Sequence, residues 1–346
     1  MSQKKTILHI IQNFGRGGAE TAVVGVLSNL SEYTNIVVAM DDRNEFGDEL
    51  KYDKYYCLNL PSYYHFPLAI GKLRKIIKEH HVDIVHSTLY WSMILARLAT
   101  PKHIPVINSI QASLSNSFEY KKKWICWLDR YTYNRRPCTI IGVSKDTLND
   151  YFSFLNITRG KNYVLYNYVD TRRFSYHQSL EKSADNKLRL VTVGSFKLQK
   201  NQLFLLEALC KLNSQDISLD IFGKGELQPV LEKYINENKL PVRLMGQVNN
   251  LQDFLGAYDL FVMPSLYEGF SLAVLEGMLM NVPMLLSDIE TFREQCDDTA
   301  IYFSLTDIND LVNKLQLFKE NPSLLHNLAI KGKERVLQQF TLEHHL

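Results

Sequence analysis

Cysteine is scarce in this chain, and it is scattered. The five cysteines, Cys57, Cys126, Cys138, Cys210 and Cys296, are odd in number and include no C-x-x-C pair. That excludes a disulfide framework or a cysteine cage for zinc, and it points to reduced thiols in a cytoplasm. Long apolar runs are missing as well: none approaches the roughly 20 residues that cross a bilayer. Lys4-Lys5 ahead of Ile7–Ile11 imitates a signal peptide, but the run is short and ends in Gln12-Asn13, so it reads as a first buried strand. Excess charge is absent too. With 39 Lys+Arg against 37 Asp+Glu the net is +2, and no nucleic-acid partner is implied. There is no Asp-x-Asp and no His/Cys cluster at ligand spacing, so no metal is expected.

What is present suits two globular domains: 346 residues, 22% charged and 46% hydrophobic. Charge divides unevenly between them. Residues 1–170 hold 21 Lys+Arg and 15 Asp+Glu, or +6, which leaves 18 against 22, or −4, for the rest. A basic first half beside an acidic second half suggests an anionic partner for the first. Short apolar strands alternate with helical periods throughout, as in a doubly wound parallel sheet. The polar, aperiodic stretch between the halves reads as a linker. The expected division is 1–170, a linker at 171–187, and 188–346.

One stretch carries most of the chemistry. Asp259–Met263 is an apolar strand, Pro264 turns the chain, and Ser271 stands where a helix N-cap belongs. Leu272, Leu275 and Leu279 then repeat at helical spacing, and Asn281 and Pro283 supply a stop. Glu268 lies on the loop at the strand's carboxyl end, where open α/β sheets bind ligands. Glu276 follows eight residues later inside the helix. The amides of Gly269, Phe270, Ser271 and Leu272 between them suit an anion at a helix N-terminus.

A second phosphate-type loop follows the first strand, Thr6–Gln12. It runs Gly15-Arg16-Gly17-Gly18-Ala19-Glu20 into a helix over Thr21–Leu30. Tight turns needing positive φ explain such glycines equally well. As a dinucleotide fingerprint it is weak, because Glu20 stands where a third glycine belongs. Asp41, after the strand Asn35–Met40, sits where a ribose-binding acid would, which keeps a nicotinamide oxidoreductase open. His86 ends the strand Asp83–His86, and Gln111 follows the strand Pro105–Ile110. Tyr120–Tyr131 is the strongly basic amphipathic stretch. Trp124, Leu128 and Tyr131 share a face, with Lys121, Lys122 and Arg130 elsewhere. It suits either a sheet-covering helix or contact with an anionic membrane surface.

Pro264-Ser265, Glu268-Gly269-Phe270-Ser271-Leu272, Glu276-Gly277-Met278 and Asn281-Val282-Pro283 together resemble the E-x7-E motif of the retaining nucleotide-sugar glycosyltransferases of sequence family 4. That resemblance extends over nearly the whole chain. It implies the GT-B architecture, two Rossmann-like doubly wound domains facing a cleft. It implies a nucleotide diphosphate sugar, a UDP-sugar by preference, as co-substrate without a further cofactor. A saccharide or polyprenyl-linked acceptor of surface-polysaccharide assembly would receive the sugar at the inner face of the membrane.

By the same resemblance, Glu268 contacts the transferred sugar and Glu276 the ribose hydroxyls. Gly17 and Gly18 match a G-G-A-E loop facing the sugar and acceptor. Gly194 and Lys200 match a G-R-x4-K-G diphosphate loop. Gly223 and Gly225 match a G-D-G-P turn, and Gln247 and Val248 stand where the base is read. His86 falls in a D-I-V-H segment. Gln111 and Ser195 depart from the family's His and Arg: glutamine keeps a hydrogen bond without carrying a proton, and serine brings no charge to the diphosphate. Those two departures also suit a nucleotide-sugar-binding protein of the same fold without activity.

Overall fold

The computed structural model describes residues 4–60, 65–117, 119–174, 187–321 and 323–346. The chain divides into two compact units, Met1–Tyr166 and Asn167–Leu346.

The first unit opens with β1 (Thr6–Ile11), α1 (Gly18–Asn29), β2 (Thr34–Ala39) and β3 (Lys54–Cys57). It continues through α2 (Phe66–Glu79), β4 (Ile84–Thr88), α3 (Tyr90–Ala99) and β5 (Val106–Ile110). It closes with α4 (Lys123–Arg135), β6 (Thr139–Gly142), α5 (Lys145–Phe154) and β7 (Asn162–Val164). The strands form one parallel sheet in the order β3-β2-β1-β4-β5-β6-β7. This is the Rossmann order, with its switch point between β1 and β4. Near-continuous apolar strands such as Ile7–Ile11 are buried on both faces, as a sheet covered by helices on each side requires. Helix α5 starts at a complete capping box, Ser144 with Thr147.

The second unit repeats the plan. It runs β8 (Leu188–Val193), α6 (Gln202–Leu212), β9 (Ile217–Phe222), α7 (Gln228–Asn238) and β10 (Val242–Gly246). Then come α8 (Gln252–Leu255), β11 (Leu260–Met263), α9 (Leu272–Leu279), β12 (Met284–Ser287) and α10 (Glu290–Cys296). It ends with β13 (Ala300–Phe303), α11 (Ile308–Glu320), α12 (Ser323–Gln339) and α13 (Leu342–His345). Strand order is β10-β9-β8-β11-β12-β13, again all parallel. Two Rossmann-like α/β units are thus present, the fold class the alternation predicts.

Several local expectations shift. Helix α1 begins at Gly18 rather than Thr21, because the Gly17 carbonyl already accepts both the Thr21 amide and its hydroxyl. Helix α8 is confined to Gln252–Leu255. Gly256, a weak helix former, sits at its end, and Ala257 and Tyr258 continue in i→i+3 turns. The division after residue 170 falls instead at 166/167. Asn167 donates to the Phe270 carbonyl, the Val169 amide bonds Phe340 O, and Arg173 bonds Asn249 O, all within the second unit. The linker expected at 171–187 lies mostly outside the described residues.

Helix α9 ends in a Schellman motif. The Val282 amide bonds Gly277 O and the Asn281 amide bonds Met278 O, with Asn281 at φ 61. Asparagine is the side chain that best tolerates that left-handed position. Gly277 packs against strands: a Cβ there would lie 2.6 Å from Met284 Cε and 3.0 Å from Phe261 Cδ2.

Candidate functional site

In the second unit the loops after β8, β9 and β11 meet at the carboxyl edge of the sheet. The Phe196 amide bonds Lys224 O, and Leu227 N bonds Phe196 O. This approach is close enough to require glycine. A Cβ on Gly223, at φ +144, would lie 2.1 Å from Gly194 O, and one on Gly225 would lie 2.5 Å from Phe196 O. Both glycines therefore serve first to let two loops touch. The loop after β10 joins them, with Gly246 O accepting the Gly223 amide. Beyond it Gln247 is exposed and Val248 half-buried.

The β8 loop positions Lys200. Its stem crosses Gly194, where a Cβ would sit 3.1 Å from Lys200 Cε. Asn201 follows at φ 51, occupying the left-handed position that the family gives to glycine. Ser195 and Lys197 are exposed, whereas Gln202 is buried and donates to Ser195 O at 3.1 Å. The Gln202 Oε1 is buried without a hydrogen-bond partner among the described residues. Two bonds tie this loop to the loop after β11: Leu266 N to Gln199 O, 2.8 Å, and Gln199 Nε2 to Tyr267 O, 3.0 Å.

These ties bring Lys200 onto Glu268. The Lys200 Nζ donates to Glu268 Oε1 at 2.6 Å, and the buried Ser265 hydroxyl donates to the same oxygen at 2.6 Å. The pair is shielded, with side chains 15% and 7% exposed. Glu276, on the next helix, stands in a different setting. It is half-buried, and no side chain among the described residues hydrogen-bonds its carboxylate. Burial pushes its carboxyl up to about 7, against the opposing pull of Arg173.

The expectation for the loop amides is corrected at one position. The Ser271 amide donates to Gln295 Oε1 at 3.1 Å, and Gln295 Nε2 returns a bond to Ser271 O at 2.8 Å. That amide is not available to an anion. Ser271 is the N-cap residue of α9, but by backbone only, since its side chain makes no cap bond. Gly269 and Phe270 are buried, Phe270 packs on Phe340 with ring centroids 5.1 Å apart, and Leu272 opens the helix half-buried.

In the first unit, Gly17 and Gly18 are exposed at the start of α1, and Gly17 has φ −121. The positive φ considered for this loop is absent at Gly15 and Gly17; close approach is the reason instead. A Cβ on Gly17 would meet Glu20 Oε2 at 2.5 Å, and one on Gly15 would meet Arg43 Cζ at 3.1 Å. Asp41 does not stand ready for a ribose. Its carboxylate accepts from Asn13 Nδ2 and the Arg43 amide, holding the loop itself together.

His86 lies mid-strand rather than at a strand end, since β4 runs on to Thr88. It belongs to a polar chain across four strands: Ser109 Oγ to His86 Nε2 (2.8 Å), His86 Nδ1 to His9 Nδ1 (3.2 Å), and His9 Nε2 to Asn35 Oδ1 (3.2 Å). Burial first, and His86 second, lower His9 to about 3, so His9 is neutral; its Nε2–H donates to Asn35 Oδ1, which leaves Nδ1 to accept from His86. Gln111 directly follows β5, and its Oε1 is buried without a partner among the described residues.

Helix α4 packs one face on the core of the first unit and turns its aromatic rings outward. Trp124, Trp127 and Tyr131 are 48%, 62% and 41% exposed, while Ile125, Asp129, Thr132 and Tyr133 are buried. The Trp127 and Tyr131 rings stack at 5.2 Å. Lys121, Lys122, Lys123, Arg130 and Arg135 are exposed around them. Underneath, Asp129 accepts from Arg97, Tyr120 and Tyr151, all buried.

Reading the sequence misses Gln295 altogether. It lies 24 positions from Ser271, and nothing in the local pattern of α10 marks it. Ser265 is visible only as part of the Pro-Ser pair that leads the motif. Among the described residues no group of His, Cys, Asp and Glu could hold a metal ion, and no helix is long and apolar enough to cross a membrane.

Comparison with known proteins follows the same division. Residues 16–173 match the family described as Glycosyltransferase Family 4, and residues 187–321 match Glycosyl transferases group 1. The UDP-Gal:alpha-D-GlcNAc-diphosphoundecaprenol alpha-1,3-galactosyltransferase of Escherichia coli is 27% identical over 298 residues, 79% of this chain and 76% of that protein. The capsular polysaccharide biosynthesis glycosyltransferase CapH of Staphylococcus aureus is 24% identical over 311 residues, covering 83% and 82%. Among solved structures, Anabaena HepE in complex with UDP and glucose superposes with a TM-score of 0.83 over 99% of this chain and 97% of that one, at 16% identity.

Proposed function

This chain belongs to the family 4 glycosyltransferases of the GT-B fold, and from that premise we propose that it moves a sugar from a UDP-sugar to a lipid-linked saccharide, with retention, in surface-polysaccharide assembly. The observation that carries the donor half is the meeting of Lys200 and Glu268 at the carboxyl edge of the second sheet, with Glu276 one helix turn beyond the loop. A cation, an acid for the sugar and an acid for the ribose are then presented from one strand–loop–helix unit and the loop stitched to it. The names of two relatives, one acting on a diphosphoundecaprenol acceptor and one in capsule synthesis, support the acceptor class.

In the reaction the bond between the anomeric carbon and the diphosphate oxygen breaks. Charge then gathers on the leaving diphosphate, where Lys200 and the amides of Gly269 and Leu272 offset it. The acceptor hydroxyl adds on the face the diphosphate leaves and gives its proton to the departing phosphate oxygen. Glu268 faces the sugar as it acquires positive character. In the first unit Gln111 Oε1, without a partner among the described residues, is able to accept a hydrogen bond without supplying charge. Because Lys200 and backbone dipoles supply the countercharge, no divalent metal is required.

Helix α4 offers its rings and lysines to an anionic bilayer, which would hold the enzyme reversibly at the inner face where a polyprenyl-linked acceptor resides. The test is a thermal-shift panel of nucleotide sugars followed by transfer of labelled sugar to polyprenyl-diphosphate saccharides, with and without EDTA. Stabilisation by UDP-sugars and EDTA-resistant transfer are expected. Stabilisation only by NAD(H), or complete loss on chelation with rescue by manganese, would refute the reading.

A further inference from the structure

Resting on the donor-site reading above, we propose that Glu268 is a built-in competitor for the diphosphate at Lys200, so that nucleotide binding and release proceed by exchange of one anion for another on a single ammonium. The geometry is specific. The Lys200 stem is laid across Gly194 and its loop is bonded to the Glu268 loop at Gln199, so only the ammonium end is left to change partners. At 2.6 Å and with both side chains mostly shielded, the pair is little screened by salt. Ser195, at the head of the same loop, contributes no charge. Within this pair Lys200 is therefore neutralised before any ligand arrives, and a diphosphate gains only the difference between itself and Glu268.

Ser265 sets the balance. Its hydroxyl donates to the same Oε1 that Lys200 holds, so it shares the stabilisation of the carboxylate and eases the release of Lys200. When donor binds, Lys200 turns to the diphosphate and Glu268, still held by Ser265, is left with its negative charge for the sugar. After transfer, the charge that the sugar carried is gone from the site, and Glu268 retakes Lys200 and displaces the nucleoside diphosphate. One carboxylate thus links sugar transfer to product release.

Opposite signs in two variants separate this exchange from simple damage. Calorimetric titration of the full-length protein with UDP, and with inorganic pyrophosphate as a probe needing neither base nor ribose, should give the following. Glu268→Gln binds both roughly tenfold or more tightly than the parent, because the competing charge is gone. Ser265→Ala binds them several-fold more weakly, because Glu268 then relies on Lys200 alone. Lys200→Met loses binding in either background. Equal or weaker binding by Glu268→Gln overturns the proposal, and so does equal or tighter binding by Ser265→Ala should the glutamine variant not fold. A parent that binds neither UDP nor pyrophosphate removes the donor-site reading together with this one; a parent that binds them, with no gain in Glu268→Gln, removes this one alone.

Discussion

Donor binding should release a proton near neutral pH, and Glu276 should be its source. Burial holds this carboxyl at about 7 in the free protein, above its ordinary 4.5. The sign follows directly: the folded state favours the protonated acid, so the stability Glu276 contributes is full below about 4.5 and is lost as pH rises through 7. Ribose hydroxyls donate to the ionised form, and binding must therefore expel the proton. A nucleotide sugar suits the measurement, since its phosphodiester oxygens do not titrate in this range. The free protein carries this proton below about 7 and loses it above, so the proton yield per donor bound should fall as pH rises through that point. Affinity should rise with pH below about 7, by up to tenfold per unit, and level off above it. Titration calorimetry in two buffers of different ionisation enthalpy reads the proton yield directly. Glu276→Gln should bind more weakly, release no proton, and show a flat pH profile. If the variant releases as much as the parent, or the parent releases none at pH 6.5, Glu276 does not meet the ribose as an ionised acid.

Three further outcomes are expected. The parent should cosediment with anionic vesicles at low salt and come off at high salt; Lys121, Lys122 and Lys123 changed together to Ser should abolish this without altering donor affinity, and a parent that ignores such vesicles ends the membrane assignment. Asp129→Ala strands Arg97 in the interior and should cost about 3–5 kcal/mol of first-unit stability by thermal or urea unfolding, whereas a loss below about 1 kcal/mol would mean the network is not load-sharing. Gly277→Ala should cost about 1–3 kcal/mol through the clash with Met284 and Phe261, and the same change should cost less in a Met284→Ala background, itself destabilised by the cavity; no loss in the single variant would contradict the packing.

Helix α5 at Lys145–Phe154 and strands β8 and β13 fall where the pattern of apolar residues and caps predicts them, because a buried strand or a capped helix announces itself within a few residues of sequence. The same local logic marks the loop carrying Glu268 and the helix carrying Glu276, and it is why family membership was legible from one stretch. Asn201 and Asn281 hold left-handed positions for a related reason: such a position asks only for a residue that fits it.

What the sequence could not determine are relations across long intervals. Lys200 and Glu268 are 68 positions apart, and only the stitched loops decide that one neutralises the other. Gln295 claims the Ser271 amide from a separate helix, so an amide that looked free by its place at a helix start is occupied. His86 looks like a strand-end histidine until His9 and Ser109 are brought beside it by sheet order. In α4 the helical period groups Trp124 with Tyr131 but cannot say which face turns inward. The buried Asp129, gathering Arg97, Tyr120 and Tyr151, settles that and sends the rings to solvent. Periodicity sorts residues into faces; only the satisfaction of a buried charge chooses between them.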